Sequence, residues 1–146
     1  MAEARPPLRS RDHYRAWRRI ATRWADNDAY GHVNNVVYYG WFDTAVNAWL
    51  IETGLLDIAG GDPLGLVVET GCRYAAPLVF PQAVDIGLAV ESIGKSSVRY
   101  SLGVFAEGSS EAAAEGFFVH VYVDRAQRKP VPLPPSWRSM LETIAA

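Results

Sequence analysis

The chain has little cysteine, little histidine and little net charge. Its single cysteine, Cys72, excludes an internal disulfide framework and any zinc site built from several thiolates, and suits a reducing compartment such as the cytoplasm. The histidines, His13, His32 and His120, are scattered without ligand spacing. His120 and Asp124 are four apart on a strand-like run, which separates them by roughly 13 Å along an extended chain, too far to share one metal. A formal net charge of -2 leaves no basic stripe for a phosphate backbone, so nucleic acid is not an expected partner. No long apolar run is present either. The most apolar stretch, Val36 to Ile51, is short for a bilayer and interrupted by Asp43 and Asn47, so no membrane partner is expected. Arg5, Arg9, Arg11 and Arg15 are not followed by the apolar core of a secretory leader. There is no Gly-x-Ser-x-Gly elbow, and Gly94-Lys95-Ser96-Ser97 lacks the spacing of a phosphate-cradling loop. Serine-hydrolase and nucleotide-hydrolase chemistry are disfavoured, and no motif calls for a cofactor.

What is present reads as one domain over residues 17–146 behind a loose N-terminal arm, 1–16. Trp17, Ile20, Thr22 and Trp24 suggest a first strand over 17–25. From Asn35 to about Thr53 the apolar spacing becomes helical, and Gly54 follows as a stop signal. Asp43 and Asn47 occupy one narrow face of that helix, so apolar surface covers most of its circumference and something must wrap it. Strand-like runs follow at 66–74, 84–93, 97–105 and 113–123, with period-two alternation clearest in Val84-Ile86-Leu88-Val90 and Phe117-Val119-Val121-Val123. The turn residues between the later runs imply antiparallel order. Four prolines between 130 and 135 end the sheet, and a short helix is expected over 136–144. The layout is α+β, a long central helix wrapped by a curved antiparallel five-stranded sheet. Such a sheet has free edges, which points to a homodimer with a continuous sheet.

The most chemically suggestive stretch is Asp26-Asn27-Asp28-Ala29-Tyr30-Gly31-His32-Val33-Asn34-Asn35. Asparagines at 34 and 35 suit a helix start, because their side-chain oxygens can accept amides unpaired in the first turn. An upstream carboxylate can lie near the positive end of the helix dipole, and the remaining free amides can face a substrate carbonyl. Asp26 reads as a structural residue holding the loop through backbone N–H groups. His32 can orient water or a substrate group, or serve as a structural donor, and Tyr38 can border a pocket or belong to the core.

Arg23 through Asn35, followed by Tyr38 and Tyr39, resembles the start of hotdog-fold acyl-CoA thioesterases of the 4-hydroxybenzoyl-CoA thioesterase family, and Gly31-His32-Val33-Asn34-Asn35 resembles their fatty acyl-CoA branch. Cys72-Arg73-Tyr74-Ala75-Ala76-Pro77, Gly94-Lys95-Ser96-Ser97 and Phe118 to Asp124 look like the family's later strands. The resemblance implies a hotdog fold in a homodimer or homotetramer with sites between subunits, hydrolysing acyl- or aryl-CoA thioesters. It places the catalytic carboxylate on Asp28, as nucleophile or base, and the carbonyl-polarising amide near Asn35, with His32 beside them. Lys95, Ser96 and Ser97 fall in a turn that matches a region where the family contacts coenzyme A, and Tyr38 is the candidate for the acyl pocket. A noncatalytic binder of acyl-CoA or an aromatic ligand on the same scaffold is the alternative.

Overall fold

The computed structural model describes residues 5–146. Its main elements are β1 (Ala16–Ala21), α1 (Val37–Glu52), β2 (Leu64–Tyr74), β3 (Ala83–Ile93), β4 (Ser97–Ala106), β5 (Ala112–Val123) and α2 (Pro135–Glu142). The strands form one sheet in the order β1-β3-β4-β5-β2, every neighbouring pair antiparallel. The sheet curls around α1, the hotdog arrangement implied by the resemblance. Tyr38, Trp41, Phe42, Ala45, Val46 and Leu50 are the buried face of α1. They pack on the inward residues of β3, β4 and β5, among them Ile86, Leu88, Tyr100, Leu102 and Phe118. On the opposite face the Asn47 amide donates to the Asp43 carboxylate at 2.9 Å. Gly54, at φ 81°, lets the chain reverse so that the Leu55 and Leu56 amides donate to the Leu50 carbonyl.

Besides shifts of one or two residues at other ends, three differences from the sequence reading stand out. The first strand stops at Ala21, because Thr22 turns its hydroxyl to the Gln82 carbonyl and Trp24–Asp26 form a 3-10 turn. Helix α1 starts at Val37, two residues after Asn35, because Asn34 closes a turn ahead of it. The third difference is the arm. Residues 1–4 lie outside the described residues, but from Arg9 onward the segment is fastened to the outer face of the sheet. The Arg11 guanidinium donates to Asp85 at 2.8 Å and lies over the rings of Trp17 and Phe105. The Tyr14 ring fills the space over Gly87 and Gly103, which face each other across β3 and β4. Any side chain at either glycine would collide with it.

Asp85 makes this attachment pH-sensitive. Burial works against its charge, but hydrogen bonds from Arg19 and Arg11 outweigh burial and hold its carboxyl below its ordinary value. A depressed folded pKa stabilises the protein above the unfolded value of about 3.9, and that contribution disappears as pH falls through the folded value. Asp85→Asn is therefore expected to destabilise the protein by roughly 1–2 kcal/mol at pH 7. In urea titrations the gap from the unmodified protein should close below the ordinary carboxylate range; a gap that persists there would mean that packing rather than charge is at work.

Candidate active site

Between β1 and α1 the loop is built outward from Asp26. Its carboxylate is buried and accepts the Arg23 amide at 2.8 Å and the Arg23 guanidinium at 2.8 and 3.0 Å. Its carbonyl accepts the Asn34 amide at 2.8 Å, so Asp26 ties both ends of the loop together. The Asn27 side-chain oxygen accepts the Phe80 amide, and the buried Val33 donates to the Leu78 carbonyl. These bonds moor the loop to the segment that follows β2. The tip is a tight turn in which Asp28 N–H donates to the His32 carbonyl at 2.9 Å and Gly31 N–H to the Asp28 carbonyl at 3.1 Å. Gly31 sits at φ 85°, a left-handed conformation that a side chain would disfavour.

This turn aims Asp28 into an open cleft of about 400 Å³ lined also by Tyr30, His32, Asn35, Tyr38 and Tyr74. One oxygen of Asp28, Oδ1, accepts the Tyr30 amide at 2.8 Å. The other, Oδ2, has among the described residues only the Asn34 side-chain amide at 3.5 Å, the outer limit of a hydrogen bond. That oxygen retains capacity for a further partner.

Asn34, not Asn35, caps the helix start. Its side-chain oxygen accepts the Val36 amide at 2.9 Å and its carbonyl accepts the Val37 amide at 3.0 Å. Asn35 N–H has no acceptor among the described residues. It lies at the positive end of the α1 dipole. The Asn35 carbonyl accepts the Tyr74 hydroxyl at 2.8 Å, and Tyr74 meets Tyr38 edge-on, ring centroids 4.9 Å apart. Burial pushes the Tyr38 hydroxyl up to about 12, so it stays protonated. The exposed His32 contributes its carbonyl to the turn, and its ring has no hydrogen bond among the described residues.

Four of the expected site residues, Asp28, His32, Asn35 and Tyr38, thus share one cleft. Lys95, Ser96 and Ser97 do not join them within the protomer. They form the β3–β4 turn, where Ser97 pairs with Val121, whereas Tyr74 at the cleft pairs with Ala114 near the other end of β5. Arg125, one of the basic groups near the end of the last strand, is occupied with the loop before β2, donating to the Gly61 and Ile58 carbonyls at 2.7 and 3.0 Å. Among the described residues, no three His, Cys, Asp or Glu side chains converge as metal ligands would. Among the described residues no helix is long and apolar enough to cross a membrane. Tyr74, like Tyr30, is a cleft residue to which sequence gave no individual role; its place at the end of a strand carried no signal that it would reach the helix start.

The model of the thioesterase-like superfamily matches residues 22–141. The PA5185 protein of Pseudomonas aeruginosa PAO1 is 52% identical, with 94% of this chain and 96% of that chain covered and a TM-score of 0.90. The PA2801 protein of Pseudomonas aeruginosa, provisionally described as a thioesterase, is 31% identical over 84% of this chain and 95% of that one, with a TM-score of 0.78. A Thermus thermophilus thioesterase, solved with coenzyme A and zinc, is 25% identical over 91% and 96%, with a TM-score of 0.74. No curated protein matches the chain.

Proposed function

The chain belongs to the thioesterase-like superfamily of hotdog proteins, and from that premise we propose that it hydrolyses acyl-coenzyme A thioesters, with Asp28 as the reacting carboxylate and Asn35 N–H as the oxyanion donor. The observation that supports this most is the pairing, on one cleft, of a carboxylate oxygen and a backbone amide that both lack a strong partner. A thioester asks little of its leaving group, since a thiol with a pKa of about 8.5 leaves readily as the thiolate. It needs a nucleophile and a donor for the carbonyl oxygen as that oxygen gains charge. In one route Asp28 Oδ2 attacks the carbonyl carbon, the C–S bond breaks to release the coenzyme A thiolate, and water hydrolyses the mixed anhydride. In the other, Asp28 takes a proton from a water that attacks instead. Carboxylates in general are weak bases at neutral pH, which favours direct attack. His32, exposed at the cleft, orients water or the thioester, and Tyr38 forms part of the wall against the acyl group.

The remaining substrate contacts come from a second protomer. Strand β2 is an open edge whose Leu66, Val67 and Val68 are 39, 47 and 59% exposed, the kind of edge that recruits another strand. Antiparallel pairing of β2 with its copy lays the start of one strand beside the end of the other. The partner's β3–β4 turn, at the start-of-β2 end of the sheet, then approaches the cleft with Lys95, Ser96 and Ser97 placed for the phosphates of coenzyme A. A cytoplasmic homodimer, or a tetramer built from such dimers, is the form in which the site is complete. The coenzyme A bound by the Thermus thermophilus relative supports this ligand class.

A panel of coenzyme A esters, from short to long aliphatic acyl groups and aromatic ones, assayed for free thiol, tests the reading. At least one ester should be turned over well above its spontaneous rate. Coenzyme A binding with no hydrolysis of any ester would instead identify a noncatalytic binder.

A further inference from the structure

We propose that Tyr74 is a positioning residue for this reaction, acting through the Asn35 carbonyl; the proposal rests on the thioesterase reading given above. Beyond the bonds of the Val33 and Asn34 amides to the Leu78 and Asp26 carbonyls, three bonds hold the backbone on either side of Asn35. Two come from Asn34, whose side-chain oxygen holds the Val36 amide and whose carbonyl holds the Val37 amide. Both lie within the turn itself, so they set its shape but not its place relative to the sheet. The third is the 2.8 Å bond from the Tyr74 hydroxyl to the Asn35 carbonyl, and it joins the turn to the last residue of β2, 39 positions away along the chain.

Its surroundings suit a clamp. Tyr74 pairs in register with Ala114 on β5, so its backbone is anchored in the sheet. Its ring stands edge-on against the buried Tyr38, which limits rotation about the side chain. Burial, with the nearby Cys72 thiol, raises the hydroxyl above its ordinary value, so the donor proton is in place at neutral pH. An oxyanion donor contributes only when it sits within hydrogen-bond reach of the carbonyl oxygen in its charged form, and supporting bonds hold such groups to about 0.5 Å. A carbonyl released from Tyr74 would leave the Asn35–Val36 peptide held by bonds within the loop alone, free to tilt relative to β2. Because β2 is also the open edge, the clamp links the seam between protomers to the oxyanion donor of each.

Tyr74→Phe keeps the ring and deletes the donor. With the best ester of the panel, kcat should fall by about tenfold or more, a part of the roughly 10²–10³ lost when such a donor is removed outright, while KM stays within about twofold. The thermal midpoint should barely move. Independently of turnover, the carbonyl ¹³C resonance of Asn35 should shift as its hydrogen bond is lost. An active unmodified protein whose Tyr74→Phe variant retains its kcat, or loses kcat and gains KM in parallel, would overturn the proposal alone. An unmoved Asn35 carbonyl resonance would overturn it on structural grounds. If the unmodified protein hydrolyses no ester, the thioesterase reading fails, and the positioning role in catalysis fails with it.

Discussion

Asp28→Asn is expected to reduce kcat for the preferred acyl-CoA by about 10²–10⁴-fold, the range lost when a reacting acid or base is removed, with little change in thermal midpoint or in affinity for coenzyme A. The substitution is nearly isosteric. An asparagine at 28 can still accept the Tyr30 amide that now bonds Oδ1 at 2.8 Å, and the tip of the turn is closed by backbone bonds that no side chain contributes to. What disappears is the charge on the oxygen facing the cleft. An amide oxygen neither attacks a thioester effectively nor removes a proton from water, so both routes fail together. The binding determinants proposed for coenzyme A lie elsewhere, on the partner's β3–β4 turn, and should be unaffected. Retention of more than a tenth of the original kcat would show that Asp28 is a turn-former and that another group does the chemistry.

Gly116→Ala should cost more stability than the addition of one methyl group would suggest. Gly116 lies on β5 between β2 and α1, and a methyl group there would meet the Phe42 ring and stand 2.5 Å from the Gly71 carbonyl oxygen. A ring edge can rotate, but a backbone carbonyl held in a β-ladder moves only if its strand moves. Overpacking of this kind costs about 1–3 kcal/mol, which for a chain of this size lowers the thermal midpoint by roughly 2–4 °C per kcal/mol. Displacing β2 also displaces Tyr74, so kcat should fall along with stability. Gly40→Ala provides the contrast. Gly40 lies within α1 with nothing inside 4 Å of an added methyl, and the substitution should stabilise the protein by up to about 1 kcal/mol through helix propensity. Calorimetry of the two variants reads the difference directly; equal midpoints would mean that helix and sheet are less tightly joined than these contacts require.

The elements themselves were legible because their signals are local. Helix α1 and strands β3 to β5 follow apolar periodicity to within two or three residues at their ends, since burial on one face imposes that period. The loop before α1 was legible as a candidate site because Asp28, His32, Asn35 and Tyr38 lie within one turn and the helix beside it, so proximity in sequence is proximity in space. Asp26 was readable as the loop's anchor for the same reason. What escaped was set by partners distant along the chain. The arm looked loose because its arginines and prolines resemble unstructured sequence, whereas Arg11 depends on Asp85 and Tyr14 on two glycines of different strands. The choice of Asn34 over Asn35 as the cap depends on which of two adjacent side chains points back along the chain, and composition is silent on that. Tyr74 reaches the helix start only through the pairing of β2 with β5, which no spacing rule specifies. Lys95, Ser96 and Ser97 came from resemblance, and their separation from the cleft within one protomer follows from the sheet order.

A crystal structure of the Asp28→Asn protein with a nonhydrolysable ketone analogue of its preferred acyl-CoA is the most direct trial of the proposed chemistry. The ketone oxygen should lie about 2.7–3.1 Å from Asn35 N, with its carbonyl carbon beside the side chain of residue 28 and the coenzyme A phosphates near Lys95 of a second protomer. A carbonyl bound away from that amide, or a ligand that leaves the cleft between residues 28 and 74 empty, would contradict it.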